Sequence, residues 1–182
     1  GFDAEACVGN FRYVRDFGRG RNSDYTYFSH SAGAKGIVIE VGAGAGGVSE
    51  ELAKQNLHKD VYVIQPDTPS ISLDSLRSKL SAFANITIVG QYLIDWQVPD
   101  NLWGQVEWIY WIYPFPLAIA RERYAGEYFD TLSRIAKLLK PGEGEFIMVT
   151  EDGSEHVCAL LISVGLECRF EQDVPYRIHH YL

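Results

Sequence analysis

Glu40, Gly42, Gly44 and Gly46 stand together in the run GIVIEVGAGAGGVSEEL, residues 36–52. Ile37, Val38, Ile39 and Val41 around the acid predict a buried strand, and Ser49, Glu50 and Glu51 begin a helix. Between them the glycines predict a tight turn. Glycine takes positive φ without penalty and lets a ligand approach the backbone with no Cβ in the way. The helix start offers N–H groups that have no intrahelical partner. A strand before and a helix after is the context such a glycine motif requires, and it predicts a cradle for a nucleotide-like cofactor.

The position of the acid separates two versions of that cradle. The dinucleotide fingerprint is G-x-G-x-x-G with its acid about 20 residues further on. Here the pattern is E-x-G-x-G-x-G, with Glu40 two residues ahead of the first glycine. It resembles motif I of the class I S-adenosylmethionine-dependent methyltransferases. The resemblance implies S-adenosylmethionine as cofactor, with the loop around its methionine part and Glu40 helping to hold its amino group. It also implies an acid for the ribose hydroxyls at the end of the second strand. Gln65 occupies that position, and the nearest acid is Asp67, after Pro66. An amide offers one acceptor oxygen where a carboxylate offers two. On the adenine side the resemblance points past Gln91 to Asp95, a residue that serves equally as a turn or cap acid.

A narrower resemblance lies downstream. IYPFPLAIARERY and FDTLSRIAKLLKPGEGEFIMVTE resemble the tRNA (guanine-N7)-methyltransferases, with their N-F-P-D-P-W strand end, basic stretch, L-K-P-G-G element and terminal T-D. Pro114, Pro116, Leu139, Lys140, Pro141, Gly142 and Thr150 match, and Tyr113 replaces the Phe. Arg121 and Arg123 fall in the basic stretch, which implies acceptor binding, and Glu151 replaces the Asp. Ile112, Phe115 and Leu117 depart from the pattern; Phe115 replaces a functional acid. Glu151 is the candidate acceptor-binding acid and Tyr113 the residue shaping the acceptor pocket. Each serves equally well as a structural residue.

Other chemistries find little support. Cys7, Cys158 and Cys168 are an odd set without C-x-x-C spacing, so neither a zinc site nor a disulfide framework is indicated. His179 and His180 are adjacent, and on a strand they point to opposite faces, so a shared metal is not expected. There is no G-x-S-x-G elbow, H-E-x-x-H or P-loop lysine. The net charge of −8 argues against a broad nucleic-acid footprint but leaves room for a local basic patch. There is neither a signal-peptide pattern nor an apolar run near the ~20 residues of a membrane span. The expectation is a soluble, cytoplasmic chain without membrane or metal.

These residues need elements to position them. The 182 residues suffice for one domain with a full core. Residues 1–35 differ in composition: Arg12, Arg15, Arg19 and Arg21 are interleaved with Tyr13, Phe17, Tyr25, Tyr27 and Phe28. Such a segment packs its aromatics on the core as an arm, binds phosphates and bases, or closes over the cofactor as a lid. From residue 36 on, hydrophobic spacing predicts alternation. The helices fall at 48–57, 70–83, 126–139 and 154–164. The strands fall at 61–64, 85–90, 106–112 and 145–150, then 166–172 and 176–182 as an antiparallel pair. The fold class is α/β: a doubly wound, Rossmann-like, seven-stranded, mostly parallel sheet of methyltransferase type, with a terminal antiparallel strand pair.

The function that follows is an S-adenosylmethionine-dependent methyltransferase with an RNA, tRNA-like acceptor. Two rivals stand beside it. One is a catalytically divergent binding or effector domain, such as a bacterial toxin terminus, with a protein partner; Gln65, Gln91 and Phe115 all replace expected acids. The other is a small-molecule methyltransferase, which the aromatic stretch Trp108 to Phe115 suits equally.

Overall fold

A computed structural model describes residues 9–16, 35–112, 129–150 and 162–174. Strand β1 (Gly9–Asp16) is followed by β2 (Gly36–Val41), α1 (Gly47–Gln55), β3 (Lys59–Ile64), α2 (Leu73–Leu80) and β4 (Ile86–Val89). Then come β5 (Trp108–Ile112), helix α3 (described over 129–138), β6 (Glu145–Thr150) and β7 (Leu166–Val174). The sheet order is β4-β3-β2-β5-β6-β1-β7, and every pairing is parallel.

Residue alternation assigns the two faces. On β2, Val38 packs with Leu52 of α1 and Leu76 and Leu80 of α2. Ile39 and Val41 pack instead with Leu132, Ile135, Ala136 and Leu138 of α3. On β5, Ile109 joins the α3 side and Tyr110 the α1–α2 side; on β6, Phe146 and Met148 take the first and Ile147 the second. Strands covered on both faces must be apolar at consecutive positions. The period of two then sends every second residue to the same helix layer. Glu40 shares its parity with Val38, so its side chain enters the α1 side.

Several polar groups buried in this frame are paired. Lys59, only 1% exposed, places Nζ 2.8 Å from Glu107 Oε2 and 4.7 Å from the centre of the Trp108 ring. Asn56 Nδ2 donates to the carbonyl of Leu52 at the end of α1. On the other face Arg134 Nη1 donates to the carbonyls of Leu93 and Trp96, fastening the short 3-10 turn Leu93–Asp95 to α3.

Most elements fall where the hydrophobic spacing puts them. Helix α2 is shorter than the expected 70–83. Thr68 and Ile71 pair with each other as an isolated bridge, and Ser72 caps the helix by accepting from the N–H of Ser75 at 3.3 Å. At the chain's end the expected antiparallel pair falls partly outside the described residues. β7, the first member of the predicted antiparallel pair, runs parallel to β1. Its predicted partner, 176–182, lies outside the described residues, as does the helix 154–164 except for its last residues. Within the segment 1–35, Gly9–Asp16 is a strand with neighbours on both sides. It pairs with β6 from Asn10↔Glu145 to Arg15↔Thr150, and with β7 through a bulge between Phe11 and Arg12.

Candidate functional site

The chain leaves β2 for β3 and β4, then returns across β2 to β5 and β6. The strand order therefore reverses between β2 and β5. Open α/β sheets bind ligands at the carboxyl ends of strands at such a reversal. The glycine loop occupies that end of β2.

The loop is wired to the neighbouring strand. The N–H of Gly42 donates to the carbonyl of Ile64 at 2.9 Å, and that of Ala43 to the same oxygen at 3.4 Å. Gly46 N–H closes the turn onto Ala43 O at 3.1 Å. Gly44 N–H donates to Oε1 of Gln65 at 2.9 Å. The N–H groups of Ala45, Gly47 and Val48 make no hydrogen bond with another described residue, so these are what the loop and the start of α1 hold out.

The three glycines have different physical reasons. All have positive φ: +70° at Gly42, +57° at Gly44 and +89° at Gly46. A Cβ on Gly46 would stand 2.7 Å from Leu76 Cδ1, so this glycine lets α2 close against the loop. A Cβ on Gly44 would meet nothing within 4 Å. Among the described residues Gly44 therefore faces open space, and its missing side chain leaves room there for a ligand. Beside Gly42 lies the Trp111 indole of β5, with Nε1 3.6 Å from where a Cβ would be.

Behind the loop Glu40 is buried, 1% exposed, and its Oε2 accepts a hydrogen bond from Ser49 Oγ at 2.6 Å. Ser49, on the first turn of α1, is itself fully buried. Burial pushes the Glu40 carboxyl up to about 7, and the Ser49 hydroxyl offsets only part of that shift. Desolvation penalises the charged form, and one neutral donor replaces little of the lost water.

Gln65 follows β3 directly and is 6% exposed. Its Oε1 takes the Gly44 N–H, and its Nε2 donates to the Pro66 carbonyl at 3.0 Å. Asp67 is exposed, and its Oδ1 accepts from the N–H of Leu73 at 3.2 Å, at the first residue of α2. Asp95 is exposed in its 3-10 turn, beyond the end of β4.

The structure thus gathers Glu40, Gly42, Gly44, Gly46 and Gln65 around one loop, and puts Asp67 at a helix start. Tyr113, Arg121, Arg123 and Glu151 lie outside the described residues. Sequence reasoning missed Ser49 as the partner of Glu40. The available signal was a small hydroxyl residue in the first turn of the helix that follows a strand acid. It also missed Trp111, visible only as one aromatic among several. Among the described residues there is no group of three or more His, Cys, Asp or Glu that could hold a metal. No helix among them is long and apolar enough to cross a membrane.

No protein-family model matches the chain, and no curated protein does. Solved structures do. An S-adenosylmethionine-dependent methyltransferase from Aquifex aeolicus superposes with a TM-score of 0.58 at 18% identity, over 82% of this chain and 83% of that one. An antibiotic-related methyltransferase gives 0.53 at 20% identity, over 79% and 74%. The chain has the methyltransferase fold. The antibiotic-resistance methyltransferase Kmr superposes with a TM-score of 0.50 at 17% identity, covering 79% of this chain and 80% of its own. In the methyltransferase fold seen here, the parallel strands β4-β3-β2-β5-β6 carry the loop and Gln65 at their carboxyl ends.

Proposed function

We propose that the chain is an S-adenosylmethionine-dependent methyltransferase. The observation that carries this reading is the buried carboxylate of Glu40 behind a glycine loop whose middle residue, Gly44, faces open space, on a fold shared with such enzymes. The residues fit the cofactor. Glu40 is an acid able to meet an ammonium, the N–H groups of Ala45, Gly47 and Val48, unbonded among the described residues, suit a carboxylate or hydroxyl, and Gln65 at the end of β3 suits a ribose. When bound, S-adenosylmethionine supplies an already reactive methyl group. The protein's share is then alignment and exclusion of water, with a base only if the acceptor carries a proton. Glu151 and Tyr113 are proposed for the acceptor side, and Asp95 for the adenine side.

The proposed acceptor is RNA. Its support is the resemblance around Arg121 and Arg123, together with Arg19 and Arg21 among the aromatic residues Phe17, Tyr25, Tyr27 and Phe28. RNA affinity should then fall steeply with added salt as counterions are released, whereas affinity for a small neutral acceptor should not. One observation favours a divergent, non-transferring domain: Gln65 and Asp67 are both engaged within the protein.

Calorimetry with S-adenosylhomocysteine tests the cofactor. Micromolar binding is expected at pH 8, together with its loss in Glu40→Gln. Below pH 7 affinity should decline, by up to tenfold per pH unit, because an ammonium ligand needs the charged carboxylate and Glu40 takes up its proton near 7. No binding at millimolar ligand would overturn the reading.

A further inference from the structure

The polarity of Gln65 is fixed by its partners. Gly44 N–H is only a donor, so the side-chain atom 2.9 Å from it is the carbonyl oxygen. The Pro66 carbonyl is only an acceptor, so the atom 3.0 Å from it is the amide nitrogen. The amide cannot flip without losing both bonds. It is also buried, so an unmade bond there is costly. An amide nitrogen carries two hydrogens, and Pro66 takes one. We infer that Gln65 is a two-ended staple: it holds the glycine loop open in its ligand-receiving shape, and it offers the ligand a hydrogen-bond donor.

Two consequences follow. Gly44 is half-buried in the loop, and its positive φ is held by a side chain 21 residues away in sequence. The loop is thus shaped before any ligand arrives, which lowers the ordering cost of binding. The ligand group that meets Gln65 is an acceptor. For an adenosyl ligand this is a ribose hydroxyl oxygen, receiving the second Nε2 hydrogen. A carboxylate at this position could not do the same. Its second oxygen would face the Pro66 carbonyl, acceptor against acceptor. Gln65 is therefore a positioning residue for the loop and a specificity residue for the ligand. The ligand half of this inference rests on the S-adenosylmethionine reading; the loop half does not.

The test has a readout for each half. Amide hydrogen exchange of Gly44, followed by NMR without ligand, reads the staple. Gly44 should be protected in the natural chain and exchange at least tenfold faster in Gln65→Met, which keeps the volume and removes both bonds. Equal exchange in the two would overturn the staple. If neither variant folds, protection of Gly44 in the natural chain decides alone, since a loop N–H without a hydrogen bond exchanges fast. S-adenosylhomocysteine calorimetry reads the ligand half. Gln65→Glu should bind about tenfold more weakly than the natural chain at pH 8. Equal or tighter binding by Gln65→Glu at pH 8 would overturn the donor assignment. If the natural chain binds no S-adenosylhomocysteine, the cofactor reading and the ligand half fall together, while Gly44 exchange still judges the staple.

Discussion

The carboxyl of Glu40 carries a stability signature of its own. Its pKa is near 7 in the folded chain, against the ordinary 4.5. Between those values the folded protein holds a proton that the unfolded chain has released. Stability from this group is thus full below pH 4.5, falls as pH rises to 7, and levels off beyond. The loss is about 3 kcal/mol, from 1.36 kcal/mol for each pH unit. Glu40→Gln keeps an acceptor for Ser49 Oγ and removes the titration. Its denaturant midpoint should match the natural chain near pH 4.5 and exceed it at pH 8. Parallel curves across that range would show that Glu40 is not desolvated as described. At this scale the motif was legible, because its residues are neighbours in sequence. Ser49 was not: its role depends on α1 docking over β2, a tertiary fact. Nor was the engagement of Gln65 with Gly44, which the residue types permit but do not dictate.

Among the elements, the contact between the loop and α2 explains why the third glycine differs from the second. Gly46→Ala places a methyl against Leu76 at a positive φ. Strain and overpacking together should cost about 2–4 kcal/mol. Gly44→Ala meets no neighbour and should cost only the backbone term, about 1–2 kcal/mol. Urea midpoints of the two variants measure the difference. If they are equal, the approach of Leu76 is not what fixes Gly46 as glycine. Central strands and helices were readable from their spacing, since β2, β5 and β6 are apolar at consecutive positions and α3 carries one broad apolar stripe. The start of α2 was not readable. SISL at 70–73 fits a helix by composition, yet Thr68 and Ile71 pair instead, and Ser72 begins the helix one turn later than spacing suggests.

For the whole molecule, the position of β1 matters most. The composition of GNFRYVRD hides it. A strand inside a sheet usually reads as a nearly continuous apolar run, and Asn10, Arg12, Arg15 and Asp16 break that pattern. Its backbone nonetheless bonds on both sides. Tyr13→Pro should therefore remove ladder bonding and cost about 3 kcal/mol or more, with a lower melting temperature. An unchanged melting temperature would mean that the segment lies outside the sheet, as an arm.

The same strand imposes an order on biosynthesis. β1 leaves the ribosome ahead of the rest of the sheet, and both of its neighbours, β6 and β7, are made more than a hundred residues later. At about 5–20 residues per second of synthesis, it waits several seconds with both backbone edges open. The rest of the sheet, from β4 to β6, can assemble from nearer contacts, with β6 left as a provisional edge. Insertion of β1 is then a late, long-range closure that contact order makes slow. The nascent chain is most exposed to mispairing at this step, so a chaperone that shields extended segments should raise the folded yield more than it changes the stability of the finished protein.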